Sequence, residues 1–364
     1  MTAQEDFLKV RSIDHVEFWV GNARQAAFYY QHAFGFTPVA YAGLETKSRD
    51  RASYVLAQGK ARFVLSAPYE PGGEMADHIH RHGDGVRDIA MEVEDVERAY
   101  RETVKRGATR VQEPVTISDD FGSIRRAAVA TYGDTIHSFI DRSGYRGPFL
   151  PGYQALGGTA AAGPLLYVDH VVGNVALGDM NKYVAFYRDV MGFSQFVHFD
   201  DKDISTEYSA LMSKVMSGGG GRVKFPINEP AEGKRKSQIQ EYLDYYRGPG
   251  VQHIALATDD IIDTVSRLRE YGVQFLSVPG SYYEMLPERV GRIEEDLREL
   301  SRLGILVDRD EEGYLLQIFT KNVLDRPTVF FEVIERKGSR GFGKGNFRAL
   351  FEAIEREQAL RGNL

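Results

Sequence analysis

Hydrophobic and polar positions along the chain form a pattern that occurs twice. The run IDHVEFWVG from Ile13 reads as a strand, and VDHVVGNVA from Val168 reads as another. Each is followed by a stretch of helical character that ends in Gly-Phe: Ala23 to Phe34 before Gly35-Phe36, and Asp179 to Met191 before Gly192-Phe193. Asp179 is placed to cap the second helix and Gly192 to close it. Further on, GVRDIAMEVED from Gly85 aligns with GVQHIALATDD from Gly250 at an offset of 165 residues, which holds through Gly107 and Gly272 and through Pro114 and Pro279. A constant offset across a strand, a helix and a turn marks an internal duplication. Short runs rich in Val, Ile, Phe and Tyr after each helix read as strands. The chain therefore contains four strand–helix–strands units, two in each half.

The Gly- and Ala-rich segment PGYQALGGTAAAG between Leu150 and Gly163 reads as a linker, dividing the chain into residues 1–150 and 164–364. After Pro279 the second half carries an insertion, LPERVGRIEEDLRELSRLG, whose Val290, Ile293, Leu297 and Leu300 lie at helical spacing and predict one amphipathic covering helix. The chain ends in GSRGFGKGNFRALFEAIEREQ, a glycine-rich loop followed by an amphipathic helix.

Length and composition agree with two cores. The 364 residues are 43% hydrophobic and 27% charged, as in an ordinary globular protein. A net charge of −7 argues against a general nucleic-acid binder, and no apolar run approaches a membrane span. With acids in MTAQEDFLKV and no apolar stretch there, a cytoplasmic location is expected. The absence of cysteine excludes disulfides, thiolate metal sites and a thiol nucleophile.

Paired strand–helix–strands modules with two D-H-V openings and two G-V-x-x-I-A strands resemble the vicinal-oxygen-chelate superfamily. The resemblance implies an α+β chain of two such domains, each of paired βαβββ modules forming an open barrel, plus a C-terminal lid helix. Its metal ligands fall on the first strand of one module, the first strand of the next, and the last strand. Those places hold His170, His253 and Glu332 in the second half, and His15, Asp88 and Ser138 in the first. Glu332 shares a strand face with Phe330 and Ile334, where a lone carboxylate is costly unless paired or metal-bound; Glu335 is expected to be exposed. A histidine, an aspartate and a serine do not make the same site, so the first half reads as a degenerate copy serving structure and subunit contacts. Two imidazoles and a carboxylate form the facial triad of non-haem iron oxygenases, yet the same set also occurs in zinc hydrolases.

Six longer motifs narrow the resemblance to the 4-hydroxyphenylpyruvate dioxygenase family: KFPINEPAEGKRKSQIQEYL from Lys224, GPGVQHIAL from Gly248, YYEML from Tyr282, GYLLQIFTK from Gly313, FFEVIER from Phe330 and GFGKGNF from Gly341. That resemblance implies Fe(II), and conversion of 4-hydroxyphenylpyruvate and O2 to homogentisate and CO2 in tyrosine and phenylalanine catabolism. It also implies a homo-oligomer, dimer or tetramer. The substrate pocket it implies consists of Ser213, Asn228, Gln238, Gln252, Gln317, Phe319, Phe330, Phe342 and Phe347. Ser213, Asn228, Gln238 and Gln252 supply catalytic polar contacts, and Phe342 and Phe347 supply faces for a phenyl ring.

Two enzymes remain as alternatives. A 4-hydroxymandelate synthase shares fold, iron and substrate; Pro226 and Asn228 favour the ring-hydroxylating family. An extradiol catechol dioxygenase needs an additional histidine near the metal, and the second half offers only His198 beyond its two ligands. The fold also hosts metal-free drug-binding proteins, which metal analysis separates. Other motifs are discounted. Gly338 to Lys344 resembles a phosphate loop but is followed by Gly345 rather than Ser or Thr. Asp77 to His82 looks like a metal cluster but reads as a solvated loop or helix end before Gly83, Lys234 to Lys236 as a polar loop, and Gly218 to Gly221 as a tight hairpin turn.

Overall fold

The computed structural model describes residues 6–158, 163–199, 210–231 and 233–363. Its N-terminal half builds a mixed sheet from β1 (Val10–Trp19), β2 (Thr37–Ala42), β3 (Arg51–Gln58), β4 (Ala61–Pro68), β5 (Gly85–Val93), β6 (Arg110–Asp119), β7 (Gly122–Ala130), β8 (Ile136–Asp141) and β9 (Gln154–Ala155), with α1 (Ala23–Phe34), α2 (Glu74–His82) and α3 (Val96–Lys105) between them. The strand order is β6-β7-β8-β5-β1-β4-β3-β2-β9. The C-terminal half repeats the plan with β10 (Tyr167–Asn174), β11 (Ser194–Phe199), β12 (Ala210–Gly218), β13 (Val223–Ala231), β14 (Gly250–Thr258), β15 (Leu306–Arg309), β16 (Tyr314–Phe319) and β17 (Phe330–Lys337), ordered β11-β12-β13-β10-β14-β17-β16-β15. In each curled sheet the opening strands of the two modules run antiparallel, β1 against β5 and β10 against β14. Each opening strand also pairs in parallel with the last strand of its own module.

Local chemistry sets the helix ends. Asn22 accepts the Gln25 amide at the start of α1, and Gly35 closes it at φ 72°. Asp95 caps α3 and Asp260 caps α6 (Ile261–Glu270), so the 165-residue offset extends to the caps. Asp179 departs from its expected role: its side chain makes no capping bond to α4 (Met180–Ala185), and Glu229 instead accepts the Gly178 and Met180 amides. Past Ala185 the helix widens into a π turn over Phe186–Val190 before Gly192, at φ 72°, ends it. Gly219, Gly220 and Gly221, all at positive φ, make the turn between β12 and β13.

The insertion after Pro279 is not one helix. It forms α7 (Gly280–Glu284), α8 (Leu286–Val290) and α9 (Leu297–Leu303), broken where Gly291 takes φ 66°. Val290 and Leu300 are buried, while Ile293 and Leu297 pack half-buried at the rim of the core. Helix α5 (Gln238–Tyr246) follows β13, after the exposed Lys234–Lys236 stretch, and α10 (Phe347–Leu360) closes the chain. One apolar core runs through both halves, with Phe331 against Tyr30, Phe34 and Phe63, and His137 against Tyr187 and Phe225.

Candidate metal centre and substrate cavity

Strand register places the ligand residues. Ala255 pairs with both His170 and Glu332, so the two opening strands and β17 bring His170, His253 and Glu332 together. Glu332 Oε2 stands 3.2 Å from His170 Nε2 and 3.4 Å from His253 Nε2, and all three side chains are largely buried. On the far side of each ring, His170 Nδ1 lies 2.8 Å from Asp169 Oδ1 and His253 Nδ1 lies 2.9 Å from Gln252 Oε1. Those acceptors put the ring protons on Nδ1, leaving both Nε2 lone pairs aimed at a carboxylate. Such a donor set is repulsive without a cation between its members, and it fits a divalent metal.

Burial acts to raise the Glu332 carboxyl, but His170 and His253 overcome it and hold the group at about 2. Burial also acts to lower His170, yet Glu332 and Asp169 raise it; for His253 burial prevails and the ring is held below its usual range. Asp169 is itself clamped by Arg336, at 2.8 Å from each carboxylate oxygen, with Lys224 at 3.5 Å. These neighbours keep Asp169 well below the carboxylate range despite its burial. Asp169 and Arg336 are site residues that the sequence reading passed over. The signal was present, because Asp14 and Arg142 pair identically behind His15 in the other half. With the outer partner reduced to a neutral amide, Asp169→Asn is expected to weaken divalent-metal binding by roughly 10–100-fold, measured by competition with a chelator.

The first half shows what became of the second ligand set. Asp88 occupies the position of His253, and register sets Ser138 at that of Glu332. Asp88 Oδ2 accepts from Arg126 Nη2 at 3.2 Å and from Ser138 Oγ, and Oδ1 accepts the Ser138 amide. Nearby Glu17 takes the Ser66 hydroxyl at 2.7 Å. A fixed guanidinium therefore supplies the positive charge that a metal supplies in the other half. Arg126→Ala leaves Asp88 buried without its cation. It is expected to cost about 3 kcal/mol in denaturant unfolding, the low end for a broken buried pair because Arg126 keeps some contact with water.

One cavity lies against the triad. Its lining includes every pocket residue expected from the sequence: Ser213, Asn228, Gln238, Gln252, Gln317, Phe319, Phe330, Phe342 and Phe347. Pro226 joins them, together with apolar residues not anticipated, chiefly Leu211, Val215 and Ile354. Phe330 stacks on His253 and Phe342 meets His170 edge-on. Gln317 accepts from Asn346, which also accepts from Tyr282 and Arg289, tying the cavity floor to α7 and α8. Gly343, at φ 72°, lets the glycine-rich loop cross Gln317, since a Cβ there would lie 1.8 Å from Gln317 Oε1. The loop packs on the cavity, and its glycines serve that crossing. Helix α10 covers the cavity and is held at its far end by Arg361 and Asn363 on buried Glu241.

Two expectations are corrected. Glu335 is buried rather than exposed, accepting the first amide of α6 from Ile261 and pairing with Lys337. His78 and His82 lie on a helix that ends at Gly83, as expected, but both are buried because α5 packs over them. His198 falls on the edge strand β11, and its side chain lies outside the described residues.

The Glyoxalase/Bleomycin resistance protein/Dioxygenase superfamily matches twice, over residues 12–146 and 167–318, consistent with two open barrels and a centre of two histidines and one carboxylate in one of them. The 4-hydroxyphenylpyruvate dioxygenase of Yarrowia lipolytica is 50% identical, over 97% of this chain and 94% of its own length. That of Dictyostelium discoideum is 51% identical over 98% and 100%. Among solved structures, a triple mutant of 4-hydroxymandelate synthase from Streptomyces coelicolor aligns at TM-score 0.87 and 33% identity, covering 96% of this chain and 99% of that one. The chain belongs to that superfamily and, within it, to the 4-hydroxyphenylpyruvate dioxygenase family. Among the described residues no helix is long and apolar enough to cross a membrane.

Proposed function

We propose that this chain converts 4-hydroxyphenylpyruvate and O2 to homogentisate and CO2, with Fe(II) held by His170, His253 and Glu332. The observation that carries the reading is that the three ligands and nine polar and aromatic residues, drawn from widely separated motifs, line one cavity. Bound Fe(II) supplies the redox chemistry between O2 and an α-keto acid.

The chain's own residues do the rest. His170, His253 and Glu332 would hold the metal as its three protein ligands, and small molecules would complete its coordination. Asp169 and Gln252 fix the imidazole tautomers. Gln252 has its oxygen engaged by His253, so its amide N–H groups serve the substrate; Gln317, whose oxygen is taken by Asn346, is arranged likewise. Ser213 and Asn228 sit opposite each other on paired strands β12 and β13, a polar patch suited to a phenol hydroxyl or a carboxylate. Phe342, Phe347 and the apolar face of α10 exclude water from the reacting centre. The first half, residues 1–150, acts as a structural partner without a catalytic metal of its own for the catalytic half, residues 164–364.

The test is incubation of Fe(II)-loaded protein with 4-hydroxyphenylpyruvate and O2, and chromatographic separation of the isomeric products. Homogentisate is expected. Hydroxymandelate in its place would overturn ring hydroxylation while keeping the metal centre.

A further inference from the structure

A second group of metal-ligand side chains lies in the other half, where that half meets α5. His78 and His82 are one helical turn apart on α2 and share a face. Asp134, in the turn between β7 and β8, reaches toward both rings: its Oδ2 stands 2.9 Å from His82 Nε2 and 3.4 Å from His78 Nδ1. The turn itself is held against the C-terminal half, for a Cβ on Gly133 would lie 2.2 Å from the Pro249 carbonyl.

The proton inventory leaves these atoms unsatisfied. His82 Nδ1 bonds the Tyr246 carbonyl, which only accepts, so the ring proton belongs on Nδ1. Its Nε2 lone pair then faces a carboxylate oxygen at hydrogen-bond distance. A proton on Nε2 would settle that pair alone. His78 is 2% exposed, and neither of its ring nitrogens has a hydrogen-bond partner. An orphaned buried imidazole is costly, and a proton on His82 does nothing for it. A single cation beside Asp134 Oδ2 takes up the carboxylate, the His82 Nε2 lone pair and the His78 Nδ1 lone pair together, leaving the His78 ring proton on Nε2. The separations of 2.9 and 3.4 Å are the edges expected of a shell whose metal–ligand bonds are about 2.0–2.2 Å.

We propose that His78, His82 and Asp134 bind a first-row divalent cation of the zinc class. Two imidazoles and one carboxylate suit such ions and not magnesium or calcium. The Asp134 side chain is 32% exposed, which opens the remaining position to water. Two arginines lie close. Arg87 donates to the Asp134 backbone carbonyl, and its charge is matched by Glu74 at 2.5 Å. Arg81 Nη1 stands 3.5 Å from Asp134 Oδ2 and is exposed, so it competes with the ion and can turn outward. The His82 bond to Tyr246 seats the ring at the end of α5, whose first residue, Gln238, lines the substrate cavity. The ion thus fastens the N-terminal half to a helix of the catalytic half.

Trp19, the only tryptophan of the chain, packs edge-on against His78 at 5.3 Å and reports on this site. Chelator-stripped protein is titrated with Co(II), following Trp19 fluorescence and bound cobalt. The expected result is two cobalt ions per chain with saturable quenching in the native sequence. Glu332→Ala should retain one ion and the full quenching. Asp134→Asn, which keeps shape and hydrogen-bonding capacity, should retain one ion, with quenching shifted at least about tenfold to higher cobalt or lost. Arg81→Gln, at an exposed position, should shift quenching to lower cobalt, and Zn(II) should compete throughout. A single cobalt per chain in the native sequence, or quenching that vanishes in Glu332→Ala and persists in Asp134→Asn, overturns the proposal.

Discussion

Glu332→Ala is expected to abolish product and to strip the chain of iron while leaving it folded. Glu332 contributes the only ligand charge at the triad, and its oxygen lies within 3.4 Å of both histidine nitrogens that face it. Removing it leaves two neutral imidazoles, so iron affinity should fall by more than the roughly 10–100-fold that loss of an outer partner costs. Turnover should fall more than about a thousandfold, because the reaction has no route without its metal. Iron content after gel filtration and oxygen uptake measure the two effects. Glu335→Ala is the matched control, three residues along the same strand. That carboxylate is buried too, but it serves the first amide of α6. Its loss should lower the melting temperature and leave iron in place. Iron loss in both variants would mean that strand integrity, not ligation, is being measured.

Deleting residues 342–364 is expected to abolish homogentisate while the triad keeps its iron. The deletion removes Phe342, Phe347, Leu350, Phe351 and Ile354, one whole wall of the cavity, and frees Gln317 from Asn346. It leaves all three ligands and both outer partners, Asp169 and Gln252, on intact strands. Glu241, 3% exposed, loses Arg361 and Asn363, so the truncated chain should also melt earlier. Arg361→Ala separates the two consequences, because it loosens the far end of α10 while leaving the wall residues present. Product formation should drop in that variant without disappearing. Iron lost on truncation would overturn the view of α10 as a cover and make it part of the ligand scaffold.

The legibility of this molecule in its sequence follows the range of the interactions involved. The end of helix α1 was readable because Gly35 closes it locally. The triad was readable because the resemblance to the vicinal-oxygen-chelate superfamily points to the ligand strands, and strand register brings those positions together in space. Glu335 was misread because alternation along a strand does not reveal that a helix terminus waits on its other face. His78 and His82 were misread because their cover, Tyr246, lies 164 residues beyond His82 in sequence. The insertion after Pro279 kept a helical period across Gly291, whose positive φ breaks the helix and which apolar spacing cannot register. Arg126 left no trace as a site residue, since a surface-type side chain folded over a buried aspartate looks like any other arginine in a strand.

The guanidinium of Arg126 has a consequence for the lifetime of the protein. The Asp88 site carries its neutralising charge covalently, so it holds whether or not the triad has its metal. The second half borrows its charge from solution. Its stability grows with the logarithm of free metal, by about 1.4 kcal/mol for each tenfold excess over the dissociation constant. Loss of the triad metal therefore loosens the sheet that carries His170, His253 and Glu332 and leaves the Asp88 site as it was. An enzyme deprived of its metal presents proteases with a folded N-terminal half attached to a C-terminal half that opens more often.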